Sequence, residues 1–147
     1  MADVLTKYEA PPALAHVEER EGFVWLSKEG GQKTFAGDLP AQESALLYAT
    51  QLAPRASLPG EKVRAAAWKD KPCWYLVAGE DQAVSPDYQR DAAARIGAET
   101  TVLPSGHVPM LSHPEEVLEV IREAAAKSKP QKISETDPQR RAPRANS

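Results

Sequence analysis

Cysteine is almost missing from this chain: Cys73 stands alone among 147 residues. One cysteine excludes an internal disulfide and fits a reducing compartment, so a cytoplasmic location is expected. Histidine is scarce as well. His16, His107 and His113 have neither paired cysteines nor an acidic cluster beside them, so no metal site is expected. No pattern calls for a cofactor. Long hydrophobic runs are missing too; none approaches the roughly 20 residues that a bilayer-crossing helix needs, so no membrane partner is expected. Residues 1–7 lack the apolar core after a basic start that marks a signal peptide. Glycine is sparse, with eight positions at 22, 30, 31, 37, 60, 79, 97 and 106, no two of them four residues apart. Proline, by contrast, is frequent at 13 residues, and it clusters outside the periodic segments.

Charge is unevenly spread. The net charge is −3, yet residues 127–147 carry six Lys/Arg against two Asp/Glu, which leaves the remainder markedly acidic. An acidic body argues against nucleic acid as a partner. The overall 41% apolar and 27% charged content is that of an ordinary globular chain of one-domain length.

Four zones follow one another. Residues 1–20 read as a loose, proline-containing lead-in. Residues 21–71 read as helical with breaks: a short apolar stretch at 22–26, a helix opened by Asp38 as N-cap with Pro40 in its first turn, an apolar face of Leu46, Leu47 and Ala49, a stop at Pro54, and a linker-like return over 55–71. Residues 72–126 carry the clearest pattern. Trp74-Tyr75-Leu76-Val77-Ala78 is apolar without alternation, the mark of a parallel strand buried on both faces. Ser85-Pro86-Asp87 starts a helix that Gly97 ends. A second strand over 100–103 is followed by Ser112-His113-Pro114-Glu115, which fits a capping box. It leads into a helix over 113–126 with Val117, Leu118, Val120, Ile121 and Ala124 as its inward stripe. Strand, helix, strand, helix at this spacing predicts an α/β fold built on a parallel, right-handed βαβα unit. Residues 127–147 hold one Ile and no aromatic among Lys, Arg, Pro, Ser and Gln, a composition expected to stay disordered.

Two polar residues stand out because of where the strands put them. Asp81 follows the first strand after Gly79-Glu80, and His107 follows the second after Pro104-Ser105-Gly106. Open α/β sheets hold their sites at the carboxyl ends of strands. Read alone, His107 is a polar loop residue and Asp81 a turn residue. Together they form an acid and a histidine at adjacent strand ends. Glu80 competes with Asp81 as the acid, while Asp87 reads as a helix N-terminal charge. Ser85 and Ser112 read as caps, Ser105 shares the loop of His107, and Cys73 reads as a small buried apolar residue. The tryptophans Trp25, Trp68 and Trp74 read as packing, and Gln51 as either facing a pocket or lying on a helix surface.

From about Pro11 to Ala126 the chain resembles the C-terminal half of bacterial esterase-like α/β-hydrolases, relatives of plant hydroxynitrile lyases and methyl esterases. The residues that carry the likeness are Glu21-Gly22-Phe23-Val24-Trp25-Leu26, Ala49-Thr50-Gln51, the run from Trp68 through Gly79-Glu80-Asp81, and Ser105-Gly106-His107-Val108-Pro109-Met110-Leu111-Ser112-His113-Pro114. The resemblance implies that residues up to about 68 correspond to a cap, and that 73–79 and 99–103 correspond to the last two strands of the sheet. It implies Asp81 as the triad acid and His107 as the general base. The family's triad runs nucleophile, acid, histidine in chain order, with the nucleophile in a G-x-S-x-G elbow. That motif needs two glycines four positions apart, and this sequence has no such pair. No nucleophile is therefore assigned, and about six strands of such a sheet have no counterpart here.

Three readings result: a truncated hydrolase inactive alone, half of a split hydrolase completed in trans by a nucleophile-bearing partner, or a non-enzymatic interaction module. The first two imply a small ester-like substrate, the last two a protein partner covering an exposed sheet edge.

Overall fold

The computed structural model describes residues 7–128. Those beyond Ser128, which hold nearly all of the basic tail, lie outside the described residues, as do residues 1–6.

The first part is a hairpin with a helix against it. A 3-10 turn, Pro12–His16, leads into β1 (Val17–Arg20), which pairs antiparallel with β2 (Phe23–Leu26) in the register Val17↔Leu26 to Arg20↔Phe23. The two turn residues, Glu21 (φ 52°) and Gly22 (φ 79°), are both left-handed. Such turns match the twist of paired strands. Glycine adopts that conformation freely, whereas glutamate is strained in it. The expected loose lead-in over 1–20 is thus corrected within its described part. Val-Glu-Glu-Arg shows no apolar alternation, and its strand is made by the turn and by pairing to β2. The free edge of β2 is partly occupied: Val24 N donates to Pro54 O and Ala56 N to Gly22 O, both at 2.9 Å.

After β2 a π-helical turn, Gly30–Phe35, precedes α1 (Ala41–Ala49). Asp38 does not cap α1. The N-cap is Pro40, whose carbonyl accepts from Glu43 N and Ser44 N at 2.9 and 3.1 Å. Nor is Leu46–Ala49 the inward face: Ser44 is buried, Leu47 and Tyr48 are half-buried, and Leu46 and Ala49 are exposed. The helix ends at Thr50, four residues before Pro54. Two short 3-10 turns, Leu58–Gly60 and Ala67–Lys69, make up the return, and Trp68 is exposed in the second.

The second part is the βαβα unit. β3 (Trp74–Ala78) and β4 (Glu99–Leu103) are parallel, with Trp74 opposite Glu99 and Ala78 opposite Leu103. Between them runs α2 (Pro86–Arg95), capped by Ser85, whose Oγ accepts from Tyr88 N; Gly97, with φ 64°, follows its end. A four-residue helix α3 (Pro109–Ser112) and α4 (Pro114–Lys127) close the unit. The expected capping box is absent. Ser112 belongs to α3, His113 takes the cap position without a side-chain bond, and the Ser112 hydroxyl pairs with His113 Nδ1 at 3.0 Å.

Burial is concentrated at Val77, Ala78, Ala93, Leu103 and Val108. Elsewhere it falls short of expectation. Trp74, Tyr75 and Leu76 are only half-buried, as is Cys73 just before the strand. On α4, Val117, Val120 and Ala124 are half-buried while Leu118 and Ile121 are exposed. Geometry explains this. Two strands lie about 5 Å apart, and a helix with its side chains is about 10 Å across, so a two-stranded sheet is too narrow to cover the stripe. Among the described residues the pairing pattern also leaves one edge of β3 without a partner strand. Cys73 O accepts from Glu99 N, and Gly79 N donates to Leu103 O. Odd-numbered residues therefore face β4, and Trp74 and Leu76 turn their backbone groups away from it.

Candidate functional site

The site forms where the two parallel strands end. Glu80 N donates to Ser105 O at 3.0 Å. That bond, from the residue next to Gly79, breaks the alternation of the ladder just past β3 and holds the two loops side by side. Asp81 then lies on one loop and His107 on the other, with His107 Nδ1 2.9 Å from Asp81 Oδ2. Glu80, the competing acid, is exposed, whereas Asp81 is 6% exposed.

Asp81 is saturated with donors. Its Oδ1 accepts from Ala83 N at 2.7 Å and Val84 N at 3.0 Å, and its Oδ2 accepts from Gln89 Nε2 at 2.8 Å as well as from His107. Burial alone would push this carboxyl up. The His107 bond and the Val84 and Ala83 amides outweigh it and hold the carboxyl below its ordinary range. An ionised Asp81 accepts only, so His107 Nδ1 must donate. Nε2 is then the unprotonated nitrogen of the neutral ring, and it makes no hydrogen bond within the described residues. A histidine oriented by a buried carboxylate, with Nε2 free, has the form of a general base.

The first part of the chain reaches the same place. The Phe35 ring lies 4.6 Å from the His107 ring, centroid to centroid, inclined at 54°. Asp38, freed from capping, accepts from Gly106 N through Oδ2 at 2.7 Å. A side chain at position 106 would collide with that carboxylate, since a Cβ there lies 2.7 Å from Asp38 Oδ1. Phe35 also lines an apolar cavity of about 410 Å³ together with Val24, Trp25, Leu47, Tyr48 and Leu52. Gln51 borders this cavity, but its amide is engaged: Oε1 accepts from Leu26 N and Nε2 donates to Leu26 O, tying β2 to the end of α1.

The other candidates stay apart from this pair. Ser85 is a cap. Ser105 is fully buried, with its hydroxyl lacking a partner. Asp87 pairs with Arg90 on the surface of α2. His16 and His113 bond to serines Ser27 and Ser112. Among the described residues no three His, Cys, Asp or Glu side chains gather as metal ligands. No helix among them is long and apolar enough to cross a membrane. Phe35, Asp38 and Gln89 were not legible as site residues. Each lies in a different segment from the strand ends, and no spacing links them to Asp81 or His107.

Comparison with known proteins defines the class. The model of the alpha/beta hydrolase family matches residues 2–120, and the chain belongs to that family. Its two-stranded parallel sheet and flanking helices are a partial α/β-hydrolase fold with an incomplete sheet. Among solved structures it is similar to the crystal structure of a PytH variant with one histidine replaced by alanine. That likeness has a TM-score of 0.64 and 19% identity over 84% of this chain and 53% of the other. The chain thus spans about half the length of that structure, and the likeness at this identity concerns the fold. No curated protein matches the sequence.

Proposed function

We propose that this chain carries the acid and base of a hydrolase site, Asp81 and His107, and is inactive toward esters on its own. The observation that supports this reading is the 2.9 Å His107–Asp81 pair with Nε2 unengaged, set in a sequence with no G-x-S-x-G pair of glycines. In such a site His107 would take the nucleophile's proton and return it to the leaving group, while Asp81 fixes the Nδ1–H tautomer and stabilises the imidazolium. The substrate would be a small apolar ester or related acyl compound, an assignment supported by the family and by the apolar cavity lined by Phe35, whose ring also packs against that of His107. A cytoplasmic setting goes with the single, unpaired Cys73.

The test is hydrolysis of p-nitrophenyl acetate and butyrate by the purified 147-residue chain, next to its His107→Ala variant. The expected result is the same slow background for both. Turnover by the chain alone that disappears in His107→Ala would overturn the claim of inactivity.

A second reading, completion by a nucleophile-bearing partner, draws support from the open edge of β3. The backbone groups of Trp74 and Leu76, without a strand partner among the described residues, offer a strand a place to add. Its test is co-expression with the coding sequence immediately upstream. Ester turnover that depends on both the added segment and His107 supports it, and the lack of any G-x-S-x-G segment there removes it. A partner that binds equally well to His107→Ala, with no turnover, would point to a purely structural interaction module.

A further inference from the structure

Gln89 is a buried polar residue, 5% exposed, in the second turn of α2, and its side chain bonds to Asp81 and to the neighbouring backbone. We infer that Gln89 is the positioning residue of the pair: it holds Asp81 in the one rotamer that faces His107 and thereby sets which nitrogen of His107 stays free. The inference rests on the acid–base reading of Asp81 and His107.

The orientation of the Gln89 amide is dictated by its partners. Its Oε1 accepts from Ala78 N at 3.0 Å. A backbone N–H can only donate, so this end must be the oxygen. The NH2 end therefore faces Asp81 Oδ2 at 2.8 Å and Val84 O at 3.0 Å. Both are acceptors, so both amide hydrogens are used. The assignment is self-consistent, and reversing the amide would place oxygen against oxygen twice and nitrogen against nitrogen once.

This single amide joins three elements. It answers the backbone at Ala78, whose N–H points away from β4 and has no strand beside it among the described residues. It braces the turn after β3 through Val84 O. It supplies one of the two donors on the carboxylate oxygen that His107 uses. The two backbone amides fix Oδ1, but a carboxylate held at Oδ1 alone can still swing Oδ2 about that point. Gln89 restrains this freedom with a second donor on Oδ2 beside the histidine. A buried carboxylate oxygen with a lone pair unanswered would also draw His107 into competing geometries.

The experiment uses the full 147-residue chain and reads the His107 ring nitrogens by NMR at a pH where the ring is neutral. In the unmodified protein Nδ1 carries the proton and Nε2 does not. In Gln89→Met, which keeps the length of the side chain and removes its hydrogen bonds, the preference of Nδ1–H over Nε2–H is expected to fall about tenfold, the size of one hydrogen-bond increment to a charged group. A folded Gln89→Met chain with the unmodified tautomer ratio overturns the inference. Asp81→Asn separates the two layers of the argument. If the tautomer ratio of His107 does not respond even to that change, the acid–base pairing has failed, whatever Gln89 does. If Gln89→Met does not fold, the unmodified chain and Asp81→Asn together still decide. The Gln89 side-chain Nε2 resonance is expected to shift in Asp81→Asn, and its protons to exchange more slowly with solvent than those of exposed Gln82. A Gln89 amide that neither shifts nor is protected refutes the role.

Discussion

A methyl group added at Gly106 tests the link between the hairpin part of the chain and the histidine loop. In Gly106→Ala the new carbon lies 2.7 Å from Asp38 Oδ1 and 2.9 Å from its Cγ, closer than such atoms can approach. The backbone at 106 is not left-handed, so the collision is the only strain. The softest response is for Asp38 to swing away, which breaks its 2.7 Å bond from Gly106 N. Hydrogen bonds to charged groups contribute about 1.5–3 kcal/mol. Water can reach both partners here, so the net loss is about 1–1.5 kcal/mol. Replacing glycine by alanine also stiffens the unfolded chain, which returns about 0.4–1 kcal/mol, and the single substitution alone is therefore ambiguous. A double-variant cycle with Asp38→Ala removes the ambiguity. The unfolded-state gain is common to both backgrounds, and the collision exists only in one. The coupling between the two positions is expected to be about 1 kcal/mol, with Gly106→Ala neutral or stabilising once Asp38 is gone. Urea unfolding followed by tryptophan fluorescence measures it. Strictly additive effects would mean that Asp38 does not hold Gly106, and the latch would be discarded.

Other consequences are equally direct. Glu21 sits at φ 52° in the hairpin turn, so Glu21→Gly or Glu21→Asn should raise stability by about 0.5–1 kcal/mol in the same unfolding assay; a loss would mean that the turn is not left-handed there. Asp81 binds a proton more weakly folded than unfolded, so its contribution is fully present above the unfolded carboxyl value of about 4 and drains away as pH falls below it. Asp81→Asn should flatten the acid limb of stability against pH, and an unchanged limb would contradict the depressed carboxyl. In amide exchange on the dilute chain, Trp74 and Leu76 should exchange roughly a hundredfold faster than Tyr75 and Val77, because only the latter face β4. Equal protection would show that something already covers the edge of β3.

The parts of the fold that could be read from sequence are those whose cause is local. The apolar run Trp74–Ala78, the Ser85 cap and Gly97 each act within a few residues, and the βαβα unit follows from them. What could not be read has its cause elsewhere in the chain. Val17–Arg20 is a strand because Phe23–Leu26 lies beside it. Asp38 looked like a cap because Asp before Pro often is one, yet its carboxylate is drawn to an amide 68 positions away. The stripe of α4 has the right period but only two strands to lie on, so period alone overstated its burial. The same division holds at the site. Asp81 and His107 are marked by the strands before them, whereas Phe35 and Gln89 reach them through space and leave no spacing to find.

Those long-range contacts change how the histidine should be viewed. A general base of the kind proposed for His107, on a loop and awaiting a nucleophile, could be expected to be slack until the site is completed. Here it is held on three sides before any nucleophile is present: Nδ1 by Asp81, the ring by Phe35, and the preceding amide by Asp38. Two of these restraints come from the 30–38 segment and one from the turn after β3, so the hairpin part and the βαβα part meet at this residue. The side chain remains 30% exposed, and its Nε2 has no hydrogen-bond partner among the described residues. Preorganisation of this kind lowers the cost of completing a site, because the base need not be ordered when the nucleophile arrives. It also means that loss of ester turnover on mutating Phe35 or Asp38 would not by itself identify a substrate contact. Both residues act on the geometry of His107 first, and only a measurement on the ring itself separates the two effects.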